Sequence, residues 1–465
     1  MADVPKKRLL RIDKAASITH GTILFGSAPR LWISDVCIDS REVKKGSLFI
    51  ALSGKRTDGH DYLDQAVSNG AVCILINRTQ SQRIAYLEAN AHSVAVIAVE
   101  ETYTALRELA AYWVSQFPDL VRVAITGSSG KTTTKEMVAS ILSNIGPTVK
   151  NPGNYNSDIG LPLSVFTMNE SHEFGVFEMG INHYGEMQRM LDVYSPNISL
   201  MTNIGTAHIG MFGSQEAIIR EKSRIFHSQI KRGYILEDSS WKPYIEKIRD
   251  INLGSFGMKT TAGFSGARTL GLDGWKITYE GIDIHLKHVG THNLLNALAA
   301  IRIAQELGAT KFHIQAGLED VQPMQGRSRV IHGNVTVIED SYNSNVESAS
   351  SILDYVNTLD WSGRKAVVLG SIKELGFAER RAHKIMGEKI AQLAPQGTFL
   401  YGREMEIAYK LLKGQNYGKD LFYTDEYEEL EEHVTSYVHS GDLVLVKGSR
   451  SMAMERLVTP LSLVS

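Results

Sequence analysis

Cysteine is almost absent from this chain of 465 residues, with Cys37 and Cys73 the only two. Both lie inside apolar runs. That excludes a disulfide framework or a cysteine zinc site and leaves two small core residues of a reducing compartment. Long apolar runs are missing too. No uninterrupted stretch approaches the ~18–20 residues a spanning helix requires, so membrane insertion is not expected. The opening MADVPKKRLLRIDKAAS carries basic residues with no apolar segment behind them, which does not read as a signal peptide. A cytoplasmic location is the expectation. Neither sign of charge is in excess: 49 Lys and Arg stand against 51 Asp and Glu, a formal charge of -2. Such a balance gives no support to a nucleic-acid or anionic-membrane partner. Internal repeats and low-complexity segments are also lacking.

What is present is an ordinary globular composition, 43% hydrophobic and 22% charged, in a chain long enough for two or three domains. The pattern divides into three sections, at 1–99, 100–325 and 326–465. The first alternates short apolar strands, at 47–52 and 71–76, with polar turns and a helical stretch near 62–68. The segment TYTALRELAAYWVSQFP has helical apolar spacing and is expected to open the second section. There, VRVAITG, EFGVFEMG and ISLMTNIG alternate with helical patterns, which predicts a largely parallel sheet covered on both faces. The third repeats the rhythm with VTVIED, KAVVLGS, GTFLYG, DLFYT and DLVLVKGS as strands, and helices over 379–393 and 426–438. It reads as a second, smaller doubly wound unit, so the fold class is α/β throughout.

The most informative segment is RVAITGSSGKTTT, which runs into the amphipathic stretch KEMVASILSNIG. A strand, a Gly-rich turn and a helix N-terminus let backbone N–H groups converge on an anion, and the helix dipole favours negative charge there. Gly127, Ser128, Ser129, Gly130 and Thr133 belong to this turn, with Lys131 reaching the terminal phosphates and the Thr132 hydroxyl binding magnesium. The usual G-x-x-x-x-G-K-[ST] has a Gly where Ile125 stands, so this is a shorter variant of the loop. The plain alternative is a Gly-rich turn with a surface lysine. No Asn-Lys-x-Asp element occurs to read a guanine base. ATP is therefore the expected nucleotide, and a phosphotransferase, a mechanical ATPase or a ligase remain as reaction classes.

Three more residues in the second section have metal or nucleophile chemistry. Glu178 ends the strand FGVFE, and His208 follows the strand in TNIGTAHIGMFG; strand C-terminal ends are where ligands bind in open α/β sheets. A carboxylate and an imidazole suit a divalent ion, although singly they read as a helix cap and a core or surface histidine. Lys222, in QEAIIREKSRIFHSQI, has Ile218, Ile219, Ile225 and Phe226 at helical spacing around it. Burial there lowers the pKa of an amine and makes it nucleophilic. A snorkelling lysine that covers apolar surface fits the same spacing.

The ordered set TGSSGKTTT, NPGNYNSDIGLPLSVF, FEMGINHYGEM, TNIGTAHIGMFGS, GTHNLLNALAA, GRSRV, EDSYNSN, KELG and VLVKGSR resembles the Mur ligases of peptidoglycan synthesis, over nearly the whole chain. The resemblance is strongest to the member that joins D-alanyl-D-alanine to a UDP-muramoyl-tripeptide. It implies a UDP-substrate domain, a central P-loop ATPase domain with a mainly parallel sheet, and a Rossmann-like C-terminal domain that closes over ATP. It also implies that Asp39, Ser40 and Arg41 hold the uridine nucleotide, and that Asn154 and Asn156 face the muramoyl peptide. Glu178 and His208 would hold a second magnesium, and Lys222 matches a lysine that is carbamylated in several members, where the adduct acts as a carboxylate beside the metals. Asn293 and Asn296 match the adenine-side helix. Arg327 and Asp340 match residues reaching the γ-phosphate and ribose, with Tyr342 and Asn343 in the same turn. Lys131, Lys222, His208 and Arg327 are the expected catalytic set, and a monomer is expected.

Two departures stand out. The family's DSYNANP reads DSYNSNV, with Val346 for proline, and its G-D-M-x-E-L-G reads GSIKELG, with Ser371 and Ile372 for Asp and Met. The signature Asp-Asn-Pro-Arg of the ligase adding the third amino acid is missing. A folylpolyglutamate synthase would have no UDP-binding first section. A P-loop ATPase or kinase that makes no amide leaves Lys222, His208 and the third section without a role, and a non-catalytic scaffold leaves the phosphate loop without one.

Overall fold

The computed structural model describes residues 8–25, 30–84 and 94–464. The first seven residues, which bear on the reading of the N-terminus, lie outside them. The chain forms two compact units: residues 1–123, 147–180 and 185–196 in one, and 124–146, 181–184 and 197–465 in the other. Among the described residues no helix is long and apolar enough to cross a membrane.

Unit one carries a five-stranded sheet in the order Thr22–Phe25, Ala95–Val99, Cys73–Asn77, Ser47–Ile50, Asp35–Cys37. The first pair is antiparallel and the rest are parallel. Ser47–Ile50 and Ala95–Val99 are buried at every position, as strands covered on both faces must be. Phe49, Ile74, Ile76 and Val96 pack with Leu63 and Ala66 of the helix Leu63–Ser68. Both cysteines are buried and free. The helix Thr102–Ser115 falls in this unit. The Glu101 carboxylate caps it by accepting from the Tyr103 and Thr104 N–H groups, and it buries Leu106, Leu109, Ala110 and Trp113. Phe174–Glu178 and Thr148–Lys150 pair in parallel.

The strand Val121–Thr126 runs across the division between the units. Its Val121 N–H donates to Glu173 in unit one, and its Thr126 carbonyl accepts from Thr202 N–H in unit two. In unit two the strands Ile198–Met201, Arg232–Leu236 and Gly254–Phe256 are parallel. The helix Lys131–Ser143 packs against Thr291–Glu306 and Lys311–Asp320. The rhythm of strands and helices did not foretell a three-stranded antiparallel ribbon, Phe264–Thr269, Trp275–Tyr279 and Ile282–Leu286. Its second turn, Glu280-Gly281, has φ of 44° and 78°, the left-handed pair that a tight hairpin requires.

The last section of unit two is a six-stranded sheet in the order Arg329–Ile331, Thr336–Asp340, Leu443–Lys447, Lys365–Gly370, Gly397–Tyr401, Asp420–Thr424. Only its first pair is antiparallel. All five strands expected here are present, with helices Glu379–Leu393 and Tyr427–Tyr437 between them. The final strand, Leu443–Lys447, inserts between the first two parallel strands of the section. That insertion places Lys447 opposite Asp340 in the register.

Candidate active site

The phosphate-type turn is built from the sequence upward as expected. Val121–Thr126 is a strand, Gly127 and Gly130 have φ of 149° and 78°, and Gly130 caps the helix Lys131–Ser143. Only glycine takes these dihedrals without strain. Both glycines also sit where a β-carbon would collide, with Thr202 and with the Asn296 amide respectively. The turn is held from outside itself. Asn203 accepts from the Ser129 N–H at 3.0 Å and donates to the Ser129 hydroxyl at 2.9 Å, while the Thr202 hydroxyl donates to the Ser129 carbonyl at 2.6 Å. The Gly205 N–H donates to the Ser128 hydroxyl at 2.8 Å. The sequence reading named neither Thr202 nor Asn203, although both lie in its quoted TNIG motif.

Two lysines meet at this turn. Lys131 Nζ donates to the Gly127 carbonyl at 3.1 Å, and Lys222 Nζ to the same oxygen at 2.6 Å and to the Ser128 hydroxyl at 3.4 Å. Lys222 is 2% exposed. Burial first, then the Lys131 charge, push its ammonium well below the usual lysine range, against an opposing pull from Glu347. The neighbourhood differs from the expected single helical face. The helix Gln215–Lys222 ends at Lys222, so Ile225 lies in a following 3-10 turn and Phe226 just beyond it. The side chain does not snorkel; it runs inward to a backbone carbonyl. Thr132 is buried at the start of its helix. Among the described residues no three His, Cys, Asp or Glu side chains form a ready-made metal cage. Magnesium would need no such cage, because this hard cation takes few protein ligands and completes its shell with water and substrate phosphate.

The residues expected on the adenine side lie on the helix Thr291–Glu306. Asn293 donates to the Val289 carbonyl at 2.8 Å, and Asn296 donates to Asn293 at 3.0 Å. The same helix begins a polar cluster that the sequence reading did not anticipate. His292 lies 3.2 Å from the Ser351 hydroxyl and 3.3 Å from that of Ser328, whose N–H donates to Asp340 at 3.1 Å. The other Asp340 oxygen accepts from Lys447 at 2.6 Å, and Lys447 also donates to the Asn343 carbonyl at 3.1 Å. Burial pushes the Asp340 carboxyl up, but the Lys447 charge and hydrogen bond outweigh it and hold it below the ordinary range. Burial lowers His292, with Asp340 opposing. Arg327 stacks 3.9 Å over the Tyr342 ring. Asp340, Tyr342 and Asn343 thus lie in one turn, which Lys447 of VLVKGSR braces through Asp340 and the Asn343 carbonyl, and Arg327 packs on it from a separate segment.

His208 has φ of 63° and opens the short helix Ile209–Phe212. Its Nδ1 lies 2.5 Å from a Glu374 carboxylate oxygen. The hydrogen bond to His208 lowers the Glu374 carboxyl, with burial opposing. Glu374 belongs to the departed motif GSIKELG, and the structure shows where that departure falls. Ser371 and Ile372 are buried, with the Ser371 N–H donating to Tyr401 at 2.9 Å and the Ile372 N–H to His383 Nε2 at 3.2 Å. Both altered positions are packed within the fold. Val346, the other departure, opens the helix Val346–Thr358, capped by the Asn345 side chain.

In unit one, Asp39 and Arg41 form an ion pair at 2.5 Å in the turn after Asp35–Cys37. The Ser40 hydroxyl donates to Gln65 at 2.6 Å. Glu178 ends its strand, is buried, and accepts a short hydrogen bond from Asn156. The Asn156 N–H donates to the Asn154 carbonyl at 2.7 Å. The expected peptide-facing residues and this carboxylate therefore adjoin, whereas Asp39, Ser40 and Arg41 form a separate cluster.

Three family models match the chain: the Mur ligase family catalytic domain over 33–113, the Mur ligase middle domain over 125–304, and the Mur ligase glutamate ligase domain over 326–450. The chain is 35% identical to the UDP-N-acetylmuramoyl-tripeptide–D-alanyl-D-alanine ligase of Treponema pallidum, over 97% of this chain and 98% of that one. It is 31% identical to the Escherichia coli enzyme of the same name, over 92% and 93%. Among solved structures, MurF from Acinetobacter baumannii superposes with a TM-score of 0.86 at 30% identity, covering 99% of this chain and 100% of that one. MurF from Thermotoga maritima in complex with ADP gives 0.78 at 27%, covering 92% and 97%.

Proposed function

The chain belongs to the Mur ligase family, and we propose that it joins D-alanyl-D-alanine to a UDP-N-acetylmuramoyl-tripeptide, driven by ATP. The observation that carries this reading is end-to-end likeness to that ligase in a chain whose phosphate-type turn gathers two lysines.

A carboxylate does not acylate an amine at useful rates, because its leaving group would be oxide. A tripeptide carboxylate oxygen attacks the γ-phosphorus of ATP, ADP departs, and an acyl phosphate results. The dipeptide amine then attacks the carbonyl carbon, a tetrahedral intermediate forms, phosphate leaves with the C–O electron pair, and the amine loses a proton. Bringing two anions together calls for preorganised positive charge. Lys131 supplies it at the turn, and Arg327 from the C-terminal section. Asn293 and Asn296 take the adenine side, and Asp340 the ribose. Magnesium, when bound, neutralises charge on the phosphates; we propose Thr132, Glu178 and His208 as its ligands, in two ions. Lys222, whose ammonium is pushed well below the usual lysine range by burial and the Lys131 charge, is suited to give up a proton and combine with carbon dioxide, and the carbamate would act as a carboxylate beside the metals. Asp39, Ser40 and Arg41 are proposed for the uridine nucleotide, and Asn154 and Asn156 for the peptide. We further propose domains at 1–99, 100–325 and 326–465, a monomeric state, and a cytoplasmic location.

The test is phosphate release from ATP with a UDP-muramoyl-tripeptide, with and without D-alanyl-D-alanine, with products weighed by mass spectrometry. Release that needs both substrates and yields the pentapeptide is the expected result. Release that needs another amine would overturn the substrate pair while leaving the ligase chemistry.

A further inference from the structure

The contact between His208 and Glu374 belongs to none of the roles assigned above. Glu374 Oε2 lies 2.5 Å from His208 Nδ1. A carboxylate can only accept a hydrogen bond, so Nδ1 must carry the proton. In the neutral ring that leaves Nε2 with its lone pair, the atom an imidazole presents to a divalent ion.

An isolated surface pair would mean little, since Glu374 is 59% exposed at its side chain. Here the two backbones are locked as well. The Gly210 N–H donates to the Glu374 carbonyl at 3.1 Å. A β-carbon on Gly210 would come within 2.8 Å of that carbonyl and of the Gly376 nitrogen, and one on Gly376 within 2.9 Å of the Gly210 α-carbon. His208 and Glu374 both take the left-handed backbone, with φ of 63° and 65°. Such conformations persist in non-glycine residues only where the surroundings dictate them. The loop is anchored from behind, too. Lys373 N–H donates to the Ser449 hydroxyl at 2.9 Å, and Lys373 Nζ reaches Glu404 at 2.6 Å. Two short segments distant in sequence are therefore held edge to edge, and a polar side-chain contact between these facing residues falls on an imidazole nitrogen.

We propose that Glu374 is a positioning residue that fixes the tautomer and orientation of His208, leaving Nε2 as the metal-binding nitrogen. The inference rests on the reading of His208 as a metal ligand. It gives the Glu of GSIKELG a task independent of the altered Ser371 and Ile372. Carboxylate partners of this kind orient metal-binding histidines, and their loss typically costs about 10–100-fold in metal affinity.

The test uses the full chain labelled with ¹⁵N-histidine, with the His208 signals identified by their loss in His208→Asn. Long-range ¹H–¹⁵N spectra should show the Nδ1–H tautomer in the unaltered protein and a shift toward Nε2–H in Glu374→Ala. Glu374→Gln keeps an oxygen acceptor and should retain the original tautomer in part. In parallel, Mn²⁺ binding to the ADP-loaded protein, read by electron paramagnetic resonance, should weaken about 10–100-fold in Glu374→Ala and less in Glu374→Gln. Thermal melting confirms that each variant is folded. An unchanged tautomer in Glu374→Ala overturns the proposal. So does Mn²⁺ affinity that falls in His208→Asn but not in Glu374→Ala, and that outcome leaves the metal reading intact. Unchanged Mn²⁺ affinity in His208→Asn overturns both.

Discussion

Replacing Lys447 by methionine removes one half of a buried ion pair and keeps most of the side-chain volume. Lys447 is 2% exposed and its partner Asp340 14%, with 2.6 Å between them. Coulomb attraction in such a place is offset by desolvation, so the pair itself adds little net stability. Breaking it is another matter, because a charged carboxylate is left buried without compensation, at about 3–5 kcal/mol. Asp340 keeps its bonds from Ser328, which argues for the lower end, about 3 kcal/mol. His292 is a weak replacement for the lost cation, since burial lowers its pKa against the pull of Asp340.

The pH dependence gives the sharper test. In the unaltered protein the Asp340 carboxyl is held below its ordinary value. Its contribution is therefore present above the unfolded pKa, near 4, and is lost as pH falls through the folded pKa. Without Lys447, burial dominates and the folded pKa rises above the unfolded one. The penalty then stands at neutral pH and is relieved by protonation as the medium becomes acidic. Urea unfolding followed by circular dichroism should show Lys447→Met with a midpoint about 1 M or more lower at pH 7, for a slope of about 1–3 kcal/mol per molar. The gap should narrow toward pH 4, and Asp340→Asn/Lys447→Met should recover most of the loss at pH 7. A Lys447→Met deficit below about 1 kcal/mol, or one that does not change with pH, would refute the reasoning.

Other variants probe the phosphate turn. Lys131→Ala should abolish phosphate release while leaving affinity for the UDP-muramoyl substrate, by calorimetry, largely intact; unchanged turnover would remove the assignment of the turn. Lys222→Ala should be nearly inactive and partly rescued by short-chain carboxylates, which can stand in for a carbamate, and a fully active variant would end that idea. Gly130→Ala forces an L side chain into a φ of 78°, costing about 1–2 kcal/mol before the clash with Asn296 is counted. It should lower the melting temperature and weaken ADP binding at least ~10-fold. Normal ADP titration together with normal melting would show that the turn tolerates a β-carbon.

The local elements were legible because their causes are local. RVAITGSSGKTTT contains its own strand, its own left-handed glycines and its own helix start, so the turn is readable locally even though Thr202, Asn203 and Gly205 brace it. The strands of the third section are continuous apolar runs, and 379–393 repeats its apolar positions at helical spacing. The antiparallel ribbon at 264–286 was missed because its strands are half exposed and Gly-punctuated, a pattern that the βα rhythm around them overrides. Lys222 illustrates the limit differently. Apolar neighbours at helical spacing suggested burial, but the helix stops at that residue and the surrounding surface comes from elsewhere.

Sequence alone determined the α/β alternation, the phosphate-type turn and the family, because period, turn chemistry and motif order are properties of short contiguous stretches. Tertiary structure alone decided which polar groups meet. Lys222 finds Gly127 at a separation of 95 residues, and Lys447 finds Asp340 at 107. The second meeting exists because the last strand of its sheet inserts beside Thr336–Asp340 in a register that sets the two opposite each other. Strand order and register follow from how whole layers bury their apolar faces. No local spacing encodes that choice, and it is the choice that turns a lysine at the end of a strand into the partner of an aspartate at the end of another.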